Sequence, residues 1–141
     1  GMNPFELMAA DVVATGVTPG LMPVEMVRSA LSAQGVVPAA ELLHGVEDGT
    51  RVRVAGVITH RQHPATAGGV TFLGMEDETG LINVVISVGL WNKQRVLART
   101  AKALVVRGIV QNASGAVSVV ADRLEPLAMG ELLSRGSRDF R

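Results

Sequence analysis

The sequence predicts a mainly β fold, a five-stranded barrel preceded by an N-terminal helical extension of two or three short helices. Apolar residues recur at helical spacing before residue 49, and a period of two begins at Arg51. Turns containing glycine divide the later part into five short strands. The 48% of apolar residues are mostly aliphatic, because only four of 141 residues are aromatic, and such a composition suits a small barrel core.

The residues before the barrel are expected to form helices. Residues 4–15 begin with Pro4 and carry apolar side chains at helical spacing, so a short helix should end at Gly16. After a turn rich in proline and glycine, a second helix should end near Gly35. Its apolar side is formed by Val24, Val27, Ala30 and Leu31. A further turn should open at residue 38 and run to residue 42.

The first three strands are expected to form a meander. The first runs from residue 51 to about residue 62, and Gly56 should mark a bulge where the strand bends between two sheet halves. A loop over residues 63–69 leads to a second strand over residues 70–76. The third strand is expected over residues 81–88.

The last two strands follow a helical crossover. Residues 90–100 mix apolar residues with cations, which predicts a short amphipathic helix or a helix-like crossover. Strands over residues 103–111 and 116–124 flank a hairpin turn, and Pro126 ends the fifth. Five strands with a helix between the third and fourth is the order of the OB-fold, a Greek-key barrel. The expected division is a helical preface over 1–48, the barrel over 49–126 and a flexible tail over 127–141.

Composition and charge exclude several classes of protein. Cysteine is absent, which rules out disulfides and thiolate metal sites and is compatible with a reducing cytoplasm. We expect no secretory signal and no membrane contact, since no apolar run reaches the ~20 residues that a span needs. Residues 1–50 hold six acids and one base, whereas residues 51–141 hold seven acids and twelve bases. This asymmetry indicates a half that faces nucleic acid, or ordinary solvated charge.

Several runs of the sequence carry a family resemblance. They are GVTPG at Gly16–Gly20, MEDETG at Met75–Gly80, RGIVQNASGAVSVVADRL at Arg107–Leu124 and the final SRDFR. Together with residues 51–86, they resemble the C-terminal OB region of the C-family bacterial polymerases, the DNA polymerase III alpha subunit group, and above all its error-prone branch. Two positions depart from that pattern, because Met22 replaces a usual histidine and Ile86-Ser87 replaces a frequent Trp-Pro.

The resemblance implies a parent enzyme and a role for this piece of it. The parent would be a DNA-directed DNA polymerase that acts in translesion synthesis, DNA repair, DNA replication and SOS mutagenesis, with metal-binding acidic residues in a palm domain outside this chain. The resemblance also implies a mutagenic repair complex, whose other subunits are expected partners, including an inactive Y-family-like protein. For the piece itself we expect no cofactor.

A single strand of DNA needs cations for its phosphates and flat rings for its bases. The arginines of the first strand either contact phosphate or are solvated edge charges. The far end of this strand is expected beside the Gly68-Gly69 loop, where OB barrels commonly bind ligands. Phe72 either stacks on a base or belongs to the core, and the core is favoured. The predicted nucleic-acid-binding residues are Arg51, Arg53, His60, Arg61, Phe72, Lys93, Arg95 and Arg107.

Metal and catalytic sites are not expected. His60 and His63 are three residues apart, which puts their rings on opposite faces of an extended strand. The carboxylates at residues 76–78 are interpreted as a tight turn, in which Asp77 accepts backbone hydrogen bonds and Gly80 takes a positive φ. No catalytic triad, phosphate loop or zinc-ligand set occurs in the sequence. Trp91 is expected to plug the barrel bottom.

Three functions follow as hypotheses. The first is weak, salt-dependent binding of single-stranded DNA by a module of a translesion polymerase. The second is protein docking in the repair complex, through the acidic preface and the tail arginines Arg135, Arg138 and Arg141. The third is binding of tRNA, since the OB domains of class II aminoacyl-tRNA synthetases share the same pattern of strands.

Overall fold

A computed structural model describes residues 4–6, 23–64, 68–113 and 115–127, and the mainly β prediction is confirmed. Five strands close into a barrel in the order β1-β2-β3-β5-β4. They are β1 (Arg51–Gln62), β2 (Thr71–Asp77), β3 (Gly80–Ile86), β4 (Ala103–Ala113) and β5 (Ala116–Pro126). The helices are α1 (Pro23–Ala33), α2 (Ala39–Gly45), α3 (Val88–Lys93) and α4 (Arg95–Thr100). Residues 4–6 are helical, whereas the rest of the expected first helix and the expected tail after residue 127 lie outside the described residues.

The interior of the barrel is filled by aliphatic side chains from alternate strand positions. In β2 the buried residues are Thr71, Leu73, Met75 and Asp77, so the positions between them face outward. Leu104 and Val106 of β4 are fully buried in the same cluster. This period of two is the pattern that predicted the strands.

Strand β1 changes partner along its length. Its first half pairs with β4 and its second half with β2, and Val57 pairs with both. The predicted bulge at Gly56 is wrong, because Gly56 stays paired with Leu104 and the register shifts between Ile58 and His60 instead. Glycine is required at position 56 because the backbones of β1 and β2 approach closely there. A Cβ at this position would lie 2.7 Å from the backbone oxygen of Glu76.

The crossover between β3 and β4 is two short helices, not the single helix predicted over residues 90–100. The third strand ends at Ile86, earlier than predicted, because Ser87 accepts a hydrogen bond from the backbone N–H of Leu90 (3.2 Å) and begins α3. Gln94 separates the helices, and its side-chain amide both donates to and accepts from the backbone of Leu124 (2.8 Å each). This pairing fastens the crossover to β5.

The hairpin between β4 and β5 is tighter than predicted. Asn112 pairs with Val117 and Ala113 with Ala116, so residues assigned to the turn belong to the strand. Gly115 has a φ of +86°, a conformation that glycine adopts without steric penalty.

The helical preface packs against the outside of the barrel. Val27, Ala30 and Leu31 of α1 are buried, which confirms the predicted apolar stripe at these three positions. They form a second cluster with outward-facing residues of β1 and β4, among them Ala55 and Val105. Helix α1 therefore covers part of the outer β1–β4 surface.

Asp77 joins the preface to the turn between β2 and β3. Its fully buried carboxylate accepts from the N–H groups of Thr79 (2.8 Å) and Gly80 (3.1 Å), as the turn interpretation predicted, and Gly80 has a φ of +153°. It also accepts from the N–H of Ala39 at the start of α2 (2.8 Å) and from Arg28 of α1 (3.1 Å). One carboxylate thus connects three elements.

Arg28 is held at this junction by two carboxylates. Its side chain contacts Glu78 at 2.6 Å as well as Asp77. Burial lowers the pKa of Arg28, but the hydrogen bond and charge of Glu78, and then those of Asp77, outweigh it, so the pKa lies above its ordinary value. Arg28 therefore keeps its positive charge at neutral pH.

Candidate nucleic-acid interface

The outer surface of the three-stranded meander is one candidate interface. Residues that pair directly across strands project on the same side, and two such groups face outward here: Gln62 with Phe72 and Val85, and His60 with Gly74 and Asn83. We call these six residues the meander face. In OB-folds the surface of strands 2 and 3 is a common binding site for oligonucleotides.

Phe72 lies on the meander face and not in the core. Its side chain is 41% exposed, so the core assignment favoured from the sequence is wrong. The physical reason is the alternation in β2, where Thr71 and Leu73 take the inward positions. Beside Phe72, Gly74 has no side chain, and the His60 ring packs against it with Nδ1 3.2 Å from an ideal Cβ position. An exposed ring such as that of Phe72 can stack on a base.

The described ends of the loop between β1 and β2 are anchored to α3. The His63 ring stacks on Trp91 with centroids 4.9 Å apart, and its Nδ1 hydrogen-bonds the hydroxyl of buried Thr71. Gly69 lies so close to Val88 that an added Cβ would clash with it at 2.7 Å. Trp91 is partly buried and packs against the barrel core, and its stacking on His63 was not predicted.

A second candidate interface lies on β1, β4 and β5, across the barrel from β2. Arg53, Arg107 and Arg123 occupy directly paired positions on these three strands and form an arginine row. Arg51 lies on β1 beside it. Like charges opposite each other in a sheet are destabilising, so this row requires counter-charges.

Two carboxylates provide that counter-charge, and each is shared between two arginines. Asp122 contacts Arg107 at 2.6 Å and Arg51 at 3.5 Å. Glu125 contacts Arg53 at 3.0 Å and Arg123 at 3.6 Å. The four arginines therefore exceed the two acids, and the surface keeps a positive charge.

Asp122 is positioned by a β-bulge. Arg107 pairs with Arg123 but Gly108 pairs with Ala121, so Asp122 is the extra residue of β5. A Cβ on Gly108 would lie 2.3 Å from the backbone oxygen of Val120, which explains the glycine opposite the bulge.

An open groove of about 410 Å³ lies next to the bulge. It is lined by Lys93, Gln94, Arg107, Asp122 and Arg123. We call it the basic groove, and we call Arg51, Arg53, Lys93, Arg107 and Arg123 the basic face. None of the five side chains that line the groove is aromatic, so it offers charge without a surface for stacking.

The eight predicted binding residues are not brought together. His60 and Phe72 lie on the meander face, whereas Arg51, Arg53, Arg107 and Lys93 belong to the basic face. The remaining two lie elsewhere. Arg61 donates to the backbone oxygens of Ala98 and Ala101 (2.8 Å each) at the end of α4, and Arg95 donates to Asn92 (2.9 Å). Arg123 was not predicted from the sequence. Its position opposite Arg107 becomes apparent only when the register of the β4–β5 hairpin is known.

Within 4–6, 23–64, 68–113 and 115–127, His, Cys, Asp and Glu residues form no group of three that could hold a metal ion. His60 contacts Thr59 and His63 contacts Thr71, so the two histidines have separate partners. No helix in these ranges is long and apolar enough to cross a membrane.

Comparison with known proteins identifies the family of the barrel. The tRNA anti-codon family model, described as an OB-fold nucleic acid binding domain, matches residues 52–127. The chain belongs to this family. The match begins with β1 and ends just after β5, so it covers the whole OB-fold barrel.

Relatives of the OB-fold chain are error-prone DNA polymerases. Over all 141 residues it is 69% identical to the error-prone DNA polymerase of Corynebacterium efficiens and 67% identical to that of Corynebacterium glutamicum, which confirms the resemblance drawn from the sequence. The chain spans 13% of the length of each of these curated relatives. A solved asparaginyl-tRNA synthetase from Pyrococcus horikoshii, complexed with asparaginyl-adenylate, matches 64% of this chain and 22% of its own at 25% identity, with a TM-score of 0.52.

Proposed function

We propose that this OB-fold chain is a single-stranded DNA-binding module of an error-prone DNA polymerase that acts in translesion synthesis and DNA repair. In this proposal the strand crosses the meander face and one base stacks on Phe72. The module itself performs no chemistry and uses no cofactor, and the polymerase reaction takes place elsewhere in the longer protein.

The exposure of Phe72 is the observation that supports this function best. An apolar ring that is 41% exposed on the middle strand of an OB-fold meander provides the flat surface that a base requires. Gln62 and Asn83, on the paired strands beside it, carry amide groups that donate and accept hydrogen bonds. The full-length similarity to error-prone DNA polymerases supports DNA as the ligand.

The test is fluorescence anisotropy with a labelled 15-nucleotide DNA strand at low salt. Phe72→Ala should weaken binding about tenfold, because stacking on a ring contributes roughly 1–3 kcal/mol per base. Ile109→Ala is the matched control, since Ile109 is also 41% exposed but lies on β4, and it should change affinity less than twofold. Phe72→Leu keeps an apolar side chain without a flat ring and should resemble Phe72→Ala.

The result would contradict the proposal if Phe72→Ala and Ile109→Ala bound the strand equally well. An RNA strand of the same sequence provides a second arm, because the matching family model is named for the tRNA anti-codon. Binding of RNA at least tenfold tighter than DNA would favour the alternative of a tRNA-binding domain. Docking in a repair complex was the other alternative, but the tail proposed for it lies outside the described residues.

A further inference from the structure

We infer that the basic groove is a second nucleic-acid site, which binds the phosphate backbone of duplex DNA. It is separate from the meander face, because β4 and β5 are the two strands of the closed barrel that do not pair with β2. The inference rests on the side chains of the groove and does not depend on the role of Phe72.

The charge of the groove is suited to phosphate. Its lining has three cations, Lys93, Arg107 and Arg123, and one carboxylate, Asp122. Guanidinium groups bind phosphate oxygens with two parallel hydrogen bonds, and lysine contributes a compact charge. The lining is therefore positive by two formal charges.

The cations of the groove are available to a ligand. Within the described part of the chain, Lys93 forms no ion pair, and Arg123 makes only the long 3.6 Å contact through its Nε while its side chain remains 59% exposed. Arg107 contacts Asp122 through its Nε at 2.6 Å, so its terminal nitrogens remain for another anion. Asp122 thus orients Arg107 without using all of its donors.

The arginine row gives an anion a further reason to bind. Arg53, Arg107 and Arg123 are in direct register on three strands, and their mutual repulsion is only partly offset by the two shared carboxylates. A phosphate backbone would relieve this repulsion. Binding of such a ligand to the folded state alone would also raise the stability of the chain.

The surroundings of the groove extend its positive charge. Arg53 of β1 pairs directly with Arg107 of the lining, and Arg51 shares Asp122 with Arg107. The basic face therefore adds two cations to the three of the groove. A path of cations longer than one phosphate suits a polymer of phosphates.

Duplex DNA fits this site better than a single strand or an acidic peptide. The groove lining has no aromatic ring to stack on exposed bases, and a duplex presents phosphates while its bases are already stacked. A peptide that adds a strand needs a free sheet edge, but β4 is paired on both sides, with β1 and β5. The proposed ligand is therefore the backbone of a duplex.

The experiment compares three labelled ligands, a single strand, a 15-base-pair duplex and a polyglutamate peptide, by anisotropy at low salt. Lys93→Gln with Arg123→Gln should weaken duplex binding at least tenfold and leave single-strand binding within twofold. The double change leaves Asp122 with Arg51 and Arg107 and leaves Glu125 with Arg53, so the fold should persist. Circular dichroism checks that it does.

The charge-matched control is Arg99→Gln with Lys102→Gln, which removes two positive charges outside the groove lining. It should weaken duplex binding less than threefold. An equal loss in both double variants would overturn the inference, because it would show diffuse charge and not a site. Binding of polyglutamate as tightly as the duplex, with the same loss in the groove variant, would assign the groove to an acidic protein and also overturn it. Loss of single-strand binding alone in Phe72→Ala would leave the groove unaffected.

Discussion

The meander face and the basic face are built from the same barrel but solve different physical problems. On the meander face a ring is exposed beside a glycine, and the neighbouring polar groups are amides and an imidazole. On the basic face four arginines share two carboxylates, and the groove lining contains no ring. The exposed ring is suited to bases and the arginines to phosphates, so the two proposed sites would divide these two tasks between opposite sides of one barrel.

The two faces also differ in what their glycines approach, and this difference predicts the largest effect. Gly108→Ala should destabilise the chain by about 3 kcal/mol, because its Cβ would lie 2.3 Å from the backbone oxygen of Val120. Gly74→Ala should change stability by about 0.5 kcal/mol or less, since it meets only side chains, those of His60 and Thr59, at 3.2–3.3 Å. Urea unfolding at pH 7 measures both.

A control for this pair is Gly89→Ala on α3, where a Cβ meets nothing within 4 Å. It should be neutral or slightly stabilising, because alanine favours a helix. The prediction would be wrong if Gly74→Ala and Gly108→Ala lowered the free energy of unfolding equally. Contact with the rigid backbone would then cost no more than contact with adaptable side chains.

The second prediction concerns the salt dependence of binding. Raising salt from 50 to 200 mM should weaken duplex binding about 40-fold if the three groove cations release counterions. Single-strand binding through stacking, with about one cation involved, should fall only about threefold over the same range. Titrations at four salt concentrations give both slopes. Parallel slopes would mean that one surface binds both ligands.

The smallest expected effect is at Asp122. Asp122→Asn keeps the shape of the bulge residue but removes the charge that Arg51 and Arg107 share, so duplex affinity should rise about threefold at low salt. The melting temperature should fall slightly, because the arginine row loses a counter-charge. Glu47→Gln, an exposed acid before β1, is the control and should change neither quantity.

A fall in duplex affinity for Asp122→Asn would show instead that the carboxylate is needed to orient Arg107. That outcome would sharpen the description of the groove, since orientation would then matter more than net charge. Thermal unfolding of the same variant distinguishes a local effect from loss of the fold.

The fold was predictable from the sequence because its signals are local. The strand at β2 and the turn chemistry of Asp77 and Gly80 each depend on residues close in sequence, and the structure confirms them. The inward side of β2 was assigned wrongly, since Phe72 is exposed. The bulge was assigned to the wrong residue because glycine marks both bulges and close approaches. Gly56 serves the second purpose, and only the position of Glu76 shows it.

The candidate sites were harder to predict because their residues meet through register and packing. Both alternate sets of β2 contain apolar residues, so the sequence could not decide which face carries Phe72. Arg61 looked like a phosphate ligand, but it donates to carbonyl groups at the end of α4, a helix whose placement no local pattern fixes. The alignment of Arg107 with Arg123 depends likewise on a one-residue bulge in β5.

The carboxylate of Asp77 has a consequence for how the chain responds to mechanical strain. This carboxylate accepts hydrogen bonds from Arg28 on α1, from Ala39 on α2 and from the turn after β2. A displacement of either helix would therefore act on the C-terminal end of β2, whereas Phe72 lies at its N-terminal end. The preface and the meander are therefore coupled mechanically through one buried carboxylate.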